Sequence, residues 1–496
     1  MKIRKSLVIK ASLLSALFLI FVITGGMINL KAPKISLSKL KIQQPKDYKN
    51  LHYPRLAEIQ MPEVKKVTLD NGIKLFLVED HQLPLINVSA KIRTGSIYEP
   101  ADKTGLASIC GEVMRTGGTK TRTGEQIDET LESIAASVET GIGLDSGSAN
   151  ISVLKEDIDT ALEILSDILQ NPAFPEDKIE LAKIKRRTEI SRRNDNPGFI
   201  ARREYSKMIY GPNSIYARQT EYATINKITR DDLVNFHKQF YYPNNVRLAV
   251  WGDFDSDQMI KKIENAFKDW KKGNIVLPPL PDVAYQYKQT VNLVSKDDLN
   301  QSNICLGHIG TTMNDPDYFA LVLMNRVLGQ GFTSRLFKNI RSRMGLAYSI
   351  SGNYAANYAY PGTFLVACQT KSQATIKAIN AMKDEIKRIT EEEVTDDELS
   401  VAMESFINTF VFNFDTKGKI ISRLVDYDYY GYPEDFIFQI RRNVEKVTKK
   451  DILQVSQKHL KPDSLQILVI GRPADFDQPL DSLGSVNKID VTIPNP

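Results

Sequence analysis

The chain has 496 residues, 42% hydrophobic and 25% charged, which is ordinary globular composition and enough for two or three domains. Its net charge of +5 is spread over 65 basic and 60 acidic side chains, with no basic block carrying interleaved aromatics, so nucleic-acid binding is excluded. Three cysteines at unrelated spacings, Cys110, Cys305 and Cys368, exclude a disulfide framework or cysteine metal cluster; their apolar surroundings predict free, buried thiols.

In chain order, residues 1–30 come first. Lys2, Arg4, Lys5 and Lys10 precede an uncharged stretch, Ala11–Leu30, that contains small residues at Thr24, Gly25 and Gly26. This is the pattern of a secretory signal peptide. Its 20 uncharged residues also suffice to span a bilayer, so cleavage and retention as a membrane anchor both stay open. In either case the bulk of the chain is exported, periplasmic or membrane-anchored facing the periplasm. Residues 31–63, with Pro33, Pro45, Pro54 and Pro62, read as an extended tether. The segment "VKKVTLDNGIKLFLVED" then places an Asp70-Asn71-Gly72 turn between two alternating runs, a hairpin signal, and "INVSAKIRTGS" adds a strand.

Residues 105–115 form an amphipathic helix. Leu106, Ile109, Cys110 and Val113 share one face; Ser108, Gly111, Glu112 and Arg115 share the other. The stretch "ETGIGLDSGSANISV" (139–153) reads as a strand or strand edge. Further on, "VLGQGF" carries Gly329 and Gly331 in a turn ahead of "FTSRLFKNIRSRMG". That segment is a predicted helix with an apolar stripe of Leu336, Phe337, Ile340 and Met344, capped by Thr333 or Ser334 and ended by Gly345. Arg341 flanks the stripe, and Tyr348 follows on a predicted strand, "LAYSIS".

An internal repeat organises these elements. "ITRDDLVNFHKQFYYPNNVRLAVWGDFD" and "VTKKDILQVSQKHLKPDSLQILVIGRPA" align with Thr229 on Thr448, Asp232 on Asp451, Pro243 on Pro462 and Gly252 on Gly471, a constant offset of 219 residues. Upstream, "PEDKIELAK" echoes "TDDELSVAM" at an offset of 220. Each copy reads as capped helix, proline-bearing turn and apolar strand. The expectation is an α+β fold of two homologous domains, 64–272 and 287–480, each with a mixed, mostly antiparallel sheet and helices gathered on one face. A linker at 273–286 joins them and a tail at 481–496 follows.

Taken in order, "LDNGIKLFLVED", "GSIYEPADKTGLASICGEVMRTGGT", "DNPG", "YYPNNVRLAVWGDFD" and "GQGFTSRLFKNIRSRMGLAYSISGNY" resemble the pitrilysin/insulinase family of zinc metallopeptidases, in its short, mitochondrial-processing form. The resemblance implies half of a peptidase clam-shell. The family's zinc helix carries H-x-x-E-H after Gly-Leu-Ala; here that slot reads Ser108-Ile109-Cys110-Gly111-Glu112. By the same resemblance, Glu189 occupies the position of the third zinc ligand. Catalytic zinc needs three protein ligands, an open position and a base for its water. Ser108 is a poor ligand and Gly111 has no side chain, so hydrolysis would lack its base. Ion pairing with Arg186, Arg192 and Arg193, three or four positions away, is the simpler role for Glu189; a noncatalytic metal at Glu112 and Glu189 is the rival.

In the family, an Arg and a Tyr at the spacing of Arg341 and Tyr348 reach the substrate at the zinc. A Gly-rich loop near Gly329 and Gly331 touches substrate in related noncatalytic subunits, and the region of residues 139–153 pairs with extended peptide. The implied function is therefore a noncatalytic, peptide-binding subunit of an exported heterodimer, holding no cofactor itself. Its partner would be a homologous subunit with an intact H-x-x-E-H and zinc; unfolded peptides would be its ligands, and the N-terminal segment its membrane contact. Two alternatives stand beside it: a purely structural, core-subunit-like scaffold, and an atypical active metalloendopeptidase.

Overall fold

The computed structural model describes residue 59 and residues 61–495. The signal or anchor at 1–30 and nearly all of the tether lie outside the described residues. No helix among the described residues is long and apolar enough to cross a membrane.

The hairpin forms where the turn signal places it: β1 (Lys65–Thr68) and β2 (Lys74–Glu79) pair antiparallel around Asn71-Gly72. β3 (Leu85–Ile92), β4 (Ser137–Ile142), β5 (Gly147–Leu154) and β6 (Val246–Gly252) complete a six-stranded sheet in the order β1-β2-β6-β3-β5-β4. The second sheet is built from β7 (Thr290–Ser295), β8 (Gln301–Ile309), β10 (Ala347–Tyr354), β12 (Thr363–Lys371), β13 (Gln466–Gly471) and β14 (Val486–Lys488); β9 (Thr311–Thr312) and β11 (Ala356–Asn357) form a separate two-stranded ribbon. Its order is β10-β12-β8-β13-β7-β14. Apart from the outermost β1 and β14, the two orders are the same. In both, the last core strand lies parallel to the first, β6 on β2 and β13 on β7, and an edge strand, β4 or β10, closes the far side. The 273–286 segment carries neither helix nor strand, and residues 486–488 add a strand beyond residue 480.

Eight helices position the sites: α1 (Leu106–Thr116), α2 (Glu176–Ser191), α3 (Pro197–Tyr210), α4 (Arg230–Phe240), α5 (Tyr318–Leu328), α6 (Asp396–Phe410), α7 (Lys417–Tyr430) and α8 (Lys449–His459). The repeat is visible in their caps. Thr229 and Asp232 form a capping box at α4, and Thr448 and Asp451 form its counterpart at α8.

The helices are not gathered on one face of each sheet. Because strand side chains alternate, Leu75 and Leu77 of β2 join the N-terminal half's own core, whereas Phe76 and Val78 point the other way. That second face is covered by α7, from the C-terminal half. Reciprocally, Cys305, Leu468 and Ile470 of the second sheet pack on Ile200, Ala201, Tyr205 and Ile209 of α3, from the N-terminal half. α3 and α7 stand 220 residues apart, the offset of the sequence repeat. Each half thus lends the equivalent helix to the other's sheet. The two contacts differ chemically. α3 docks mainly by apolar burial, with the Tyr205 hydroxyl donating to the Phe364 carbonyl at 2.5 Å. α7 adds charge to its apolar contact through Ile421, Leu424 and Val425: Asp428 pairs with Lys74 and Arg247 at 2.8 and 2.6 Å, and Asp426 with Lys91 at 2.5 Å. All three cysteines are free and buried.

Candidate functional site

α1 starts at Gly105 without a side-chain cap of its own. Its unpaired N–H groups are met by Glu99 from the preceding loop, whose carboxylate accepts from Gly105 N–H at 3.0 Å and Ala107 N–H at 2.8 Å. Burial pushes the Glu99 carboxyl above its ordinary range, with the two N–H bonds opposing. Sequence patterning missed this anchor; its one signal is an acidic residue ahead of an uncapped helix start.

The face of α1 expected to be polar is only partly in water: Ser108 and Glu112 are half-buried. Gly111 and Arg115 are buried because the helix lies against the edge strand β4. Thr140 Oγ1 donates to the Gly111 carbonyl at 2.6 Å, and Arg115 Nε donates to the Val138 carbonyl at 2.6 Å. The approach at Gly111 is very close: a Cβ there would lie 2.4 Å from the Ile142 nitrogen and 2.8 Å from the Gly141 carbonyl carbon. The slot the family gives to the catalytic glutamate is thus closed by backbone. The 139–153 stretch forms the β4–β5 hairpin with β4 at the sheet edge, and Arg115 already occupies the Val138 carbonyl.

The former ligand positions are occupied by other interactions. Ser108 Oγ donates back to the Gly105 carbonyl at 3.0 Å. Glu112 is paired with Lys185 at 3.0 Å and Arg186 at 2.7 Å, and the same Arg186 guanidinium binds Glu189 at 2.9 Å. Glu112 and Glu189 are brought together, but through a cation. Arg192 and Arg193 do not join them: they pair with Asp195 and Glu221. A guanidinium between the two carboxylates, with no imidazole at either histidine position, does not fit zinc.

In the C-terminal half, the "FTSRLFKNIRSRMG" segment is not a plain α-helix. After a short α-helical start it becomes a π-helix, Phe337–Arg343. Ser334 is the capping residue, accepting weakly from Phe337 N–H at 3.4 Å, and Gly345 ends the segment in a left-handed conformation, φ +63°. Met344 N–H bonds to the Asn339 carbonyl, an i→i+5 link. The wider turn breaks the predicted stripe: Leu336 and Ile340 are fully buried, Phe337 is half-buried and Met344 is exposed. Arg341 is exposed, its guanidinium stacked 4.7 Å from the Phe337 ring. Tyr348 sits on β10 where the register with β12 slips between Ala347 and Ser349, so its side chain stands out of the sheet, 73% exposed. Gly329 lies against Gly352, where a Cβ would be 2.3 Å from the Gly352 Cα; Gly331 is in an open turn with nothing near it. The structure therefore keeps Arg341 and Tyr348 accessible on neighbouring elements, whereas Gly329 is a packing position.

A second grouping escaped the sequence patterns. Ligand atoms of Asp315, Asp317 and His459 lie within 4.8 Å of one another. Asp317 is satisfied by Lys458 at 2.5 Å and His459 at 2.8 Å, which makes this an ion-paired corner between α5 and α8.

Two sheets repeated with a common strand order, and a helix in the position of a zinc helix with its metal-binding side chains gone, define a peptidase-like protein. Residues 74–213 match the insulinase (peptidase family M16) model, and residues 227–406 match the peptidase M16 inactive domain. The chain is 30% identical to an uncharacterized zinc protease of Rickettsia bellii over 65% of its own length and 77% of that relative. It is 24% identical to the non-peptidase homolog YmxG of Helicobacter pylori, over 79% and 90%. Among solved structures, the peptidase M16 inactive domain from Pseudomonas fluorescens superposes with a TM-score of 0.76 at 22% identity, over 84% of this chain and all but 1% of that one, 99% being covered. The periplasmic protease PqqL of Escherichia coli gives 0.70 at 12% identity, over 90% and 49%. The chain belongs to the insulinase, or M16, family of metallopeptidases and their homologues.

Proposed function

We propose that this chain is a noncatalytic, peptide-binding subunit of an exported M16 peptidase, bringing Arg341 and Tyr348 to the zinc site of a homologous partner. The partner carries the intact H-x-x-E-H and the zinc; this chain holds no cofactor. The observation that carries the reading is an asymmetry. On α1 the catalytic slot is filled by the backbone of β4 and the ligand positions by an Arg186 ion network. On the C-terminal half, Arg341 and Tyr348 remain exposed. A guanidinium and a phenol can both donate to a developing oxyanion. Export is supported by the signal-like N-terminus.

The test is peptide cleavage by this chain, by its partner, and by the two together. Only the mixture should cleave efficiently. Arg341→Ala and Tyr348→Phe should each slow it by roughly 10²-fold, as expected for loss of an oxyanion donor, while Glu112→Gln should not. Unchanged rates in both variants would leave a purely structural scaffold. Chelator-sensitive cleavage by this chain alone would make it an atypical active enzyme.

A further inference from the structure

The segment bearing Arg341 and Tyr348 has a chemical character of its own. Phe332, Met344 and Tyr348 are 77%, 55% and 73% exposed, an apolar concentration within one short stretch. Phe332 and Phe337 pack edge to face with centroids 5.0 Å apart, and Arg341 lies on the Phe337 ring. Among the described residues, Arg343 bonds to the Asn339 side chain at 3.0 Å and to no other side chain. Among the described residues neither Arg341 nor Arg343 has a carboxylate partner. The nearby acids are already engaged: Glu398 accepts both arms of Arg335 at 2.7 and 2.8 Å, and Glu385 binds Asn339 at 2.7 Å and Arg388 at 2.9 Å. The exposed segment is therefore aromatic and cationic, with no free anion among the described residues to balance it.

We propose that this exposed segment, through Phe332, Phe337, Arg341, Arg343, Met344 and Tyr348, selects unfolded peptides in which carboxylates alternate with aromatic or branched apolar side chains. The inference rests on the peptide-binding reading above and adds the substrate class. Guanidinium groups stacked on or beside aromatic rings are less hydrated than ammonium groups and bind carboxylates in a forked geometry. The rings take the apolar side chains. A basic peptide would meet two uncompensated arginines.

The experiment is fluorescence anisotropy with the full chain and three labelled synthetic peptides. One alternates Asp or Glu with Phe and Leu; the second has Lys in place of the acids; the third has Ala in place of Phe and Leu. The first should bind about tenfold or more tightly than either other. Phe332→Ala and Arg343→Ala, which leave Arg341 and Tyr348 in place, should each weaken it by roughly five- to tenfold without changing the circular dichroism spectrum. Equal or tighter binding of the lysine peptide overturns the selectivity while leaving the peptide-binding subunit standing. Failure of all three peptides to bind overturns both.

Discussion

The most exacting prediction concerns Gly111. Replacing it with alanine adds one methyl group at a point 2.4 Å from the Ile142 nitrogen, 2.8 Å from the Gly141 carbonyl carbon and 2.9 Å from Ile142 Cγ1. Ordinary contact needs about 3.5 Å or more, so helix and strand must part by about 1 Å. That movement weakens the Thr140-to-Gly111 hydrogen bond of 2.6 Å, a contact of about 1 kcal/mol. It also strains a packed region, a cost of about 1–3 kcal/mol. Against this, alanine in a helix interior is favoured over glycine by about 1 kcal/mol. The net expectation is destabilisation by about 1–3 kcal/mol. Urea denaturation followed by circular dichroism measures it as a lower midpoint at unchanged slope. The same contact predicts that the triple change Ser108→His, Gly111→Glu and Glu112→His does not recreate a zinc site, because Arg186 and the β4 backbone still fill it; isothermal titration with zinc checks this. If Gly111→Ala is neutral or stabilising, the propensity gain is unopposed, and the close helix–strand packing is refuted.

Two further outcomes follow from the interior and from the crossed helices. His237 and His308 are held neutral, each pushed down to about 4, by burial first, while His237 bonds to the Leu169 carbonyl and His308 to that of Ile309. Their unfolded values are near 6.5, so the unfolded chain binds the extra protons; stability is full above that pH and is lost as pH falls toward 4, by up to about 3 kcal/mol per histidine. His308→Asn should flatten part of that slope in urea titrations between pH 7 and 4, and an unchanged slope would rule its contribution out. The α7 clasp should be salt-sensitive and the α3 clasp should not: Asp428→Asn should cost about 1–3 kcal/mol at low salt and less in 1 M salt, where charges are screened within about 3 Å. Ile200→Ala should cost about 2–5 kcal/mol at either salt concentration. Equal salt dependence in the two variants would contradict the chemical asymmetry.

What the sequence made legible and what it did not divide along a physical line. Capping boxes are local: Thr229 with Asp232 and Thr448 with Asp451 need only three residues of context, so both helix starts were readable and the repeat with them. The strand reading of "INVSAKIRTGS" marked β3 equally well. It could not say what covers a sheet's second face, because the covering helix lies beyond the apparent domain boundary. Phe76 and Val78 look like half of a fully buried strand, but only the fold shows that α7 of the other half buries them. The π-turn was hidden for a related reason. A 3.6-residue period places Met344 on the stripe with Leu336 and Ile340, and only the i→i+5 hydrogen bonding moves it out. The zinc slot is the instructive case. Sequence alone established which side chains were missing at Ser108, Gly111 and Glu112, and an absent ligand is consistent with an otherwise intact site. The structure turns that absence into a replacement, since a strand backbone and an arginine now occupy the space and charge positions that metal and base would need. The triple variant should therefore be less stable than the natural chain, by overpacking against β4. The same helix that marks the family is therefore held in its noncatalytic form by packing as well as by composition.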